Sequence, residues 1–176
     1  MESIESPLCD LQLVELSELS QPELLSQARE LLLEYGRFVI SQPAAARFCF
    51  GSLEKEAERL PLSFIEQGGG AVVGLVDGRP AGFVAWRRAP GPLAQDSWEL
   101  KRLWVRPEGR GTGLGRALTQ AVLDRGVEAG RKAVYLDTVP AAMASALRLY
   151  YAMGFIASVP YGDNPIPELT YLVRNL

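Results

Sequence analysis

The residues with the clearest chemical purpose stand together at Arg106-Pro107-Glu108-Gly109-Arg110-Gly111-Thr112-Gly113-Leu114-Gly115-Arg116, between a strand-like run and a helix-like one. Such a stretch can hold an anion. The first backbone N–H groups of a helix have no intrahelical partner and carry the positive end of its dipole. Alternating glycines let a bulky phosphate approach the main chain, and Arg110 and Arg116 can add charge-assisted hydrogen bonds. A turn that only starts a helix would need neither Gly111, Gly113 and Gly115 nor two arginines beside them.

Spacing leaves the phosphate compound open. A P-loop requires Lys-Ser/Thr after its last glycine, where this chain has Arg116-Ala117. A dinucleotide fingerprint requires G-x-G-x-x-G, whereas Gly111 to Gly115 reads G-x-G-x-G. Asp137 stands at a strand end about 20 residues on, as a ribose-binding acid would, but only one strand-helix-strand unit is present.

Charge agrees with a local anion site. The 176 residues carry a net −3, yet residues 101–132 hold Lys101, Arg102, Arg106, Arg110, Arg116, Arg125, Arg131 and Lys132 against Glu108, Asp124 and Glu128, a local +5. Residues 1–60 hold five Lys or Arg against eleven Asp or Glu, a local −6. A nucleic-acid surface would be broader and raise the isoelectric point well above 5.1. The chain has no His, which removes Ser-His-Asp and Cys-His nucleophiles, imidazole metal sites and histidine acid-base chemistry together. Cys9 and Cys49 are too few for a disulfide framework or a zinc module, so a reduced, cytoplasmic setting without a metal is expected. Apolar runs such as Leu31-Leu32-Leu33 fall far short of the roughly 20 residues that span a bilayer, and the acidic opening Met1-Glu2-Ser3-Ile4-Glu5-Ser6 is unlike a leader. Neither export nor a membrane role is expected. At 48% apolar and 22% charged, the chain suits one globular domain over residues 1–176.

The elements that must position the cradle follow from periodicity. Strands are expected over 11–16, 71–76, 81–88, 98–105, 133–136, 155–159 and 169–174, with Asp77-Gly78 as a hairpin turn. Helices are expected from Pro22 to about 39, over 46–60, after Gly115 to about 129 with Gly130 as its stop, and over 142–153 before Gly154. A strand, helix, strand order with so long a connection makes the strands 98–105 and 133–138 parallel neighbours in an otherwise antiparallel sheet.

In this setting the chain resembles a known family. Arg110-Gly111-Thr112-Gly113-Leu114-Gly115 matches the Q/R-x-x-G-x-G/A motif of the GNAT superfamily of acyl-CoA-dependent N-acyltransferases. The resemblance extends through Glu99-Leu100-Lys101-Arg102-Leu103-Trp104-Val105-Arg106-Pro107, and through Ala146-Leu147-Arg148-Leu149-Tyr150-Tyr151-Ala152-Met153-Gly154-Phe155, which is similar to the family's A-x-x-L-Y-x-x-x-G-F helix and strand. It covers residues 70–176. It implies an α/β fold with a mixed, mostly antiparallel central sheet of six to seven strands, a parallel splayed pair and flanking helices.

The same resemblance implies acetyl-CoA as cosubstrate. Its pyrophosphate would lie on the amides of Gly111, Thr112, Gly113, Leu114, Gly115 and Arg116, with Arg110 opening the motif, and its pantetheine arm would pair with the main chain of Leu103, Trp104 and Val105. An unpaired amide at the splay would serve as oxyanion donor. Tyr150 falls where many members place the acid for the departing thiolate; packing on an amphipathic helix is its alternative. A phenol of pKa about 10 giving its proton to a thiolate of about 8.5 is uphill by about 2 kcal/mol, so the site tunes one of them or the substrate ammonium delivers the proton. Glu99 falls where several members carry a general base, needed because an alkyl amine of pKa about 10.4 is protonated at neutral pH. Its alternative is an ion pair with Lys101 or Arg88, and Asp137 is a second candidate base. Met143 stands where members often carry Asn, which leaves that contact to Thr138 or Ser145. The loop 161–168 resembles that of bacterial members of unassigned substrate; with the acidic N-terminal helices, Asp163 and Glu168 would favour a cationic amine. The resulting expectation is a cytoplasmic N-acetyltransferase that moves acetyl directly from acetyl-CoA to a primary amine of a small molecule or peptide, with no nucleic-acid or membrane partner; oligomeric state stays open, a homodimer being common among members of that family. A noncatalytic acyl-CoA-binding or sensing module is the alternative from another class.

Overall fold

The computed structural model describes residues 9–45, 50–162, 164, 166 and 168–176. In chain order the elements are β1 (Leu11–Glu15), α1 (Pro22–Ile40), α2 (Phe50–Glu58), α3 (Leu62–Ile65), β2 (Gly70–Val76), β3 (Arg79–Arg88), β4 (Ser97–Val105), α4 (Leu114–Glu128), β5 (Ala133–Thr138), α5 (Ala144–Ala152), β6 (Ile156–Ala157) and β7 (Thr170–Asn175). All seven strands form one sheet in the order β1-β2-β3-β4-β5-β7-β6. Only β4 and β5 run parallel, so the expected mixed sheet with one parallel pair is the observed one. Among the described residues no helix is long and apolar enough to cross a membrane.

Local chemistry accounts for the turns. Asp77 and Gly78 both have positive φ, 49° and 75°, the primed turn that matches strand twist and that an Asp-Gly pair favours. Pro22 opens α1 where its missing N–H costs nothing. Gly130 (φ 65°) follows the end of α4 in the left-handed conformation that terminates helices.

The larger buried clusters cover the two faces of the sheet. Trp86, Trp98, Leu114, Leu118, Val122, Leu136, Phe155 and Leu172 lie on one face beneath α4 and α5. Leu31, Leu32, Leu53, Phe64, Val73 and Phe83 lie on the other beneath α1 to α3. Boundaries differ from expectation where hydrogen bonds compete with periodicity. The Ala142 and Met143 amides both donate to the Val139 carbonyl, so the helix expected from 142 starts at Ala144. The strand expected over 155–159 keeps only two residues, because the Phe155 amide turns back to the Tyr150 carbonyl. The helix expected over 46–60 is α2 over 50–58, and residues 46–49 lie outside the described residues.

The feature that shapes the site is a split in the sheet. β4 and β5 pair only at Ser97 with Ala133, Trp98 with Val134 and Glu99 with Tyr135. Beyond that point β4 stays with β3 (Phe83 opposite Trp104) and β5 stays with β7 (Asp137 opposite Tyr171). β4 bends at a bulge: its register against β3 shifts between Phe83 and Ala85, and Arg102 adopts φ 62°. An extra residue on one strand of an antiparallel pair bends and twists that strand, which carries the end of β4 away from β5.

Candidate functional site

α4 starts at the glycine cradle. Gly113 (φ 88°) is its N-cap and Gly111 (φ 79°) precedes it, both in the region that strains a side chain. A Cβ at either position would meet no atom within 4 Å, so the room a side chain would take is open to a ligand. The cradle faces a cavity of about 440 Å³. Leu103, Trp104 and Val105 wall it from β4, Arg110, Gly111, Gly113, Leu114, Gly115 and Arg116 from the loop and helix start, and Ala142, Met143, Ser145, Ala146 and Leu149 from the α5 side. Of the residues expected around the cofactor, Thr112 alone is outside the lining. Its hydroxyl donates to the Gly109 carbonyl at 2.7 Å and accepts from the Leu114 amide at 3.4 Å, shaping the loop from behind.

The basic stretch sorts itself by partner. Lys101, Arg102, Arg106, Arg125 and Lys132 make ion pairs with Glu99, Glu56, Glu34, Glu15 and Asp96 at 2.7–3.3 Å. Arg131 donates to the Gln95 carbonyl and lies over the Trp98 ring. Arg110 and Arg116 have no carboxylate partner among the described residues, and both line the cavity. Two arginines beside open helix amides form an electrostatic receptor for a phosphate. Three of the ion pairs, through Glu15, Glu34 and Glu56, join the acidic first third of the chain to its basic middle.

Glu34 of α1 holds the cavity's wall. It takes the Arg106 guanidinium at 2.7–3.1 Å and the Trp104 indole N–H at 3.1 Å. Burial alone would raise its carboxyl, but the hydrogen bonds from Arg106 and Trp104 outweigh that and hold it below the usual carboxylate range. Trp104, fixed this way, carries the Arg110 guanidinium over its ring at 5.5 Å, and the Arg110 Nε donates to the Val105 carbonyl at 3.2 Å. Glu34 lies about 70 residues from either partner and gave no local signal in sequence.

A second cavity, of about 60 Å³, opens on the far side of the split. Tyr35 of α1, Lys101 and Arg102 of β4, Asp137 and Thr138 of β5, Tyr150 of α5 and Asn164 line it, and it shares Leu103, Ala142 and Met143 with the larger one. Tyr150 is 5% exposed, its ring 5.5 Å from Phe155. Burial, with Asp137 and Tyr35 nearby, pushes its phenol above the ordinary value, so it is protonated at neutral pH. Neighbouring Tyr151 is half exposed.

Glu99 is placed differently from its expected role. It is 2% exposed, lines neither cavity, and accepts from Arg87 at 2.8 Å, Lys101 at 3.3 Å and the Tyr161 hydroxyl at 3.3 Å. Burial would raise it, yet the charges of Lys101 and Arg87 prevail and hold it ionised, below the usual range. Of the expected ion-pair partners, Lys101 or Arg88, Lys101 is present, and Arg87, on the same face of the sheet as Glu99, takes the place of Arg88. Asp137 does line the small cavity; Asn164 donates to it at 3.2 Å, and it has no cationic partner among the described residues. Of the two groups offered for the missing Asn contact, Ser145 lines the large cavity and Thr138 the small one. Glu168 is exposed and lines neither, and Asp163 lies outside the described residues. Among the described residues no three His, Cys, Asp or Glu group closely enough to hold a metal.

Comparison with known proteins places this geometry. Residues 26–155 match the acetyltransferase (GNAT) family. An N-acetyltransferase of Schizosaccharomyces pombe is 40% identical over 74 residues, 42% of this chain and 45% of its own length. N-acetyltransferase 8 of Mus musculus is 36% identical over 110 residues, 62% of this chain and 44% of its own. The chain thus spans less than half the length of these curated relatives, which are eukaryotic. Among solved structures, a GNAT-family acetyltransferase of Staphylococcus aureus superposes with a TM-score of 0.72 at 16% identity, covering 94% of this chain and 99% of that one. A Salmonella typhimurium structure with its cofactor acetyl-CoA superposes at 0.65 and 16% identity, covering 94% and 93%. The likeness in fold therefore reaches bacterial proteins as well.

Proposed function

We propose, from the premise that this chain belongs to the acetyltransferase (GNAT) family, that it transfers an acetyl group from acetyl-CoA directly to a primary amine of a small molecule or peptide. The observation that carries the reading is the meeting of two cavities at the split between β4 and β5: one ends in a phosphate cradle, the other holds Tyr150. A nucleotide-bearing donor and a separate acceptor each have a place, and the places touch.

The open positions at Gly111 and Gly113 and the carboxylate-free Arg110 and Arg116 suit the pyrophosphate of acetyl-CoA, and the walls at Leu103, Trp104 and Val105 suit its arm. When bound, acetyl-CoA supplies an activated acyl carbon. Tyr150 donates a hydrogen bond to the departing sulfur; its raised pKa makes complete transfer to a thiolate more uphill than an ordinary phenol would. The proton the thiolate takes comes from the attacking amine, which must shed one. Glu99, held ionised by two cations, is a poor proton acceptor, and its place in the reaction is to fix Lys101 at the cavity wall. Asp137 faces the cavity and takes the role of base. The protein works in the reducing cytoplasm, where the exposed, unpaired Cys9 is stable.

The burial of Glu99 between two cations also favours the rival reading, a module that binds acyl-CoA without turnover. Thiol release from acetyl-CoA with a panel of primary amines separates them. Release with any amine supports transfer; binding of acetyl-CoA with no release supports the module; no binding sinks both.

A further inference from the structure

Lys101 and Asp137 each stand two residues past the last paired positions of the parallel ladder, Glu99 and Tyr135. Side chains alternate along a strand, so both lie on the face that Glu99 and Tyr135 share. Had the ladder continued, the two would have faced each other across one strand spacing, about 4.8 Å, and formed a cross-strand ion pair. The split prevents this. Lys101 turns back to Glu99 at 3.3 Å, Asp137 accepts among the described residues only from the Asn164 amide at 3.2 Å, and the small cavity lies between them.

The charges around that cavity are balanced in sum and separated in place. Glu99 serves two cations, Arg87 and Lys101, which leaves one positive charge in excess at that end. Arg102 is neutralised by Glu56 at 2.9 Å and contacts the Tyr35 ring. Asp137 has no cation among the described residues and leaves one negative charge in excess at the other end. Beside it the Thr138 hydroxyl is buried, lines the cavity and has no hydrogen-bond partner among the described residues, a cost that a polar ligand would remove.

We infer that the acceptor is a small zwitterion of the α-amino-acid type, its amine held by Asp137 and Thr138 and its carboxylate held by Lys101. The amine end is the reactive one, because the amine is the nucleophile that takes the acetyl group, and Tyr150 lines the same cavity as Asp137. A cavity of about 60 Å³ takes such a head group and little more. This inference rests on the proposed acetyl transfer and narrows it.

The test compares matched acceptors with the wild-type protein and acetyl-CoA: an α-amino acid, its primary amide as a mimic of a peptide N-terminus, and the amine lacking the carboxyl group. The amino acid should exceed both in kcat/KM by about tenfold to a hundredfold, the range for a charge-assisted hydrogen bond. Lys101→Met should collapse that preference, with Glu99 still paired to Arg87, and Lys101→Arg should restore it. Equal use of the three, preference for the amide or the amine, or a preference that survives Lys101→Met overturns the inference. Binding of the same three compounds to the complex with CoA, followed by calorimetry, gives a readout without turnover; absence of amino-acid preference there overturns it too. Acetyl transfer to amines alone would leave the proposed function standing, whereas failure of acetyl-CoA to bind removes that function.

Discussion

Tyr150, Arg116 and Glu99 carry the sharpest tests at the residue scale. Tyr150 is buried and protonated, so removing its hydroxyl takes away a donor and little packing. Tyr150→Phe should lower kcat by about 10- to 100-fold with acetyl-CoA affinity nearly unchanged, the loss expected for a hydrogen bond to a charged sulfur; parental turnover would remove Tyr150 from the chemistry. Arg116→Ala should do the reverse, weakening acetyl-CoA binding by about tenfold while leaving the isolated fold intact, because Arg116 has no carboxylate partner among the described residues to lose. Glu99 matters for stability. Its carboxyl lies below the usual range when folded, so it contributes stability that is present above the unfolded value of about 4.3 and is lost as pH falls through the lower folded value. Glu99→Gln should cost about 3 kcal/mol at pH 7 by stranding Lys101. The gap from wild type should narrow in denaturant titrations below about pH 4; a gap independent of pH would mean that the Glu99 charge is not what stabilises.

α4 and α1 decide where the cradle sits, and each packs against its own face of the sheet. Gly74 and Gly82 are paired across β2 and β3, and α4 packs onto them: a Cβ on Gly82 would come within 2.8 Å of Leu118, 2.9 Å of Leu114 and 3.1 Å of the Trp104 carbonyl. The bare backbone lets the start of α4 lie close to the sheet. Gly82→Ala should therefore destabilise by about 1–3 kcal/mol through overpacking. It should also weaken acetyl-CoA binding, since the helix carries the cradle; unchanged affinity would show the loop to be positioned independently of α4. These glycines were readable as strand interiors and nothing more, because closeness to a helix 30 to 40 residues away leaves no local mark. The helices themselves were readable from apolar spacing, while their ends moved where main-chain groups found nearer partners, as at Met143 and Phe155.

Across the whole molecule, the charge halves of the sequence turn out to be complementary. Glu15, Glu34 and Glu56 pair with Arg125, Arg106 and Arg102, so three of the eleven acids of the first third are engaged within the fold. Among the arginines of the basic middle, Arg110 and Arg116 face the large cavity with no carboxylate partner among the described residues. Ligand binding should then stabilise the entire fold. Acetyl-CoA at about 100 times its Kd should add about 2.7 kcal/mol, read as a rise in Tm, and NAD or ATP should add markedly less. Equal stabilisation by all three would mean that the cradle reads phosphate alone.

By itself the sequence determined the parts whose physics is local: the alternating glycines before a helix, the Asp-Gly turn, the apolar periods, the absence of His, and the three motifs by which the family is recognised. Tertiary structure alone decided which charges meet. A bulge centred on Arg102 has no glycine to announce it, yet it parts β4 from β5. That parting sets Lys101 and Asp137 on opposite sides of a cavity, while β3 beside β4 buries Glu99 between two cations and the packing of α1 brings Glu34 to Trp104 across 70 residues. Backbone preferences act over a few residues and can be read along the chain; pairing between charges depends on distances that exist only once the sheet has closed and split.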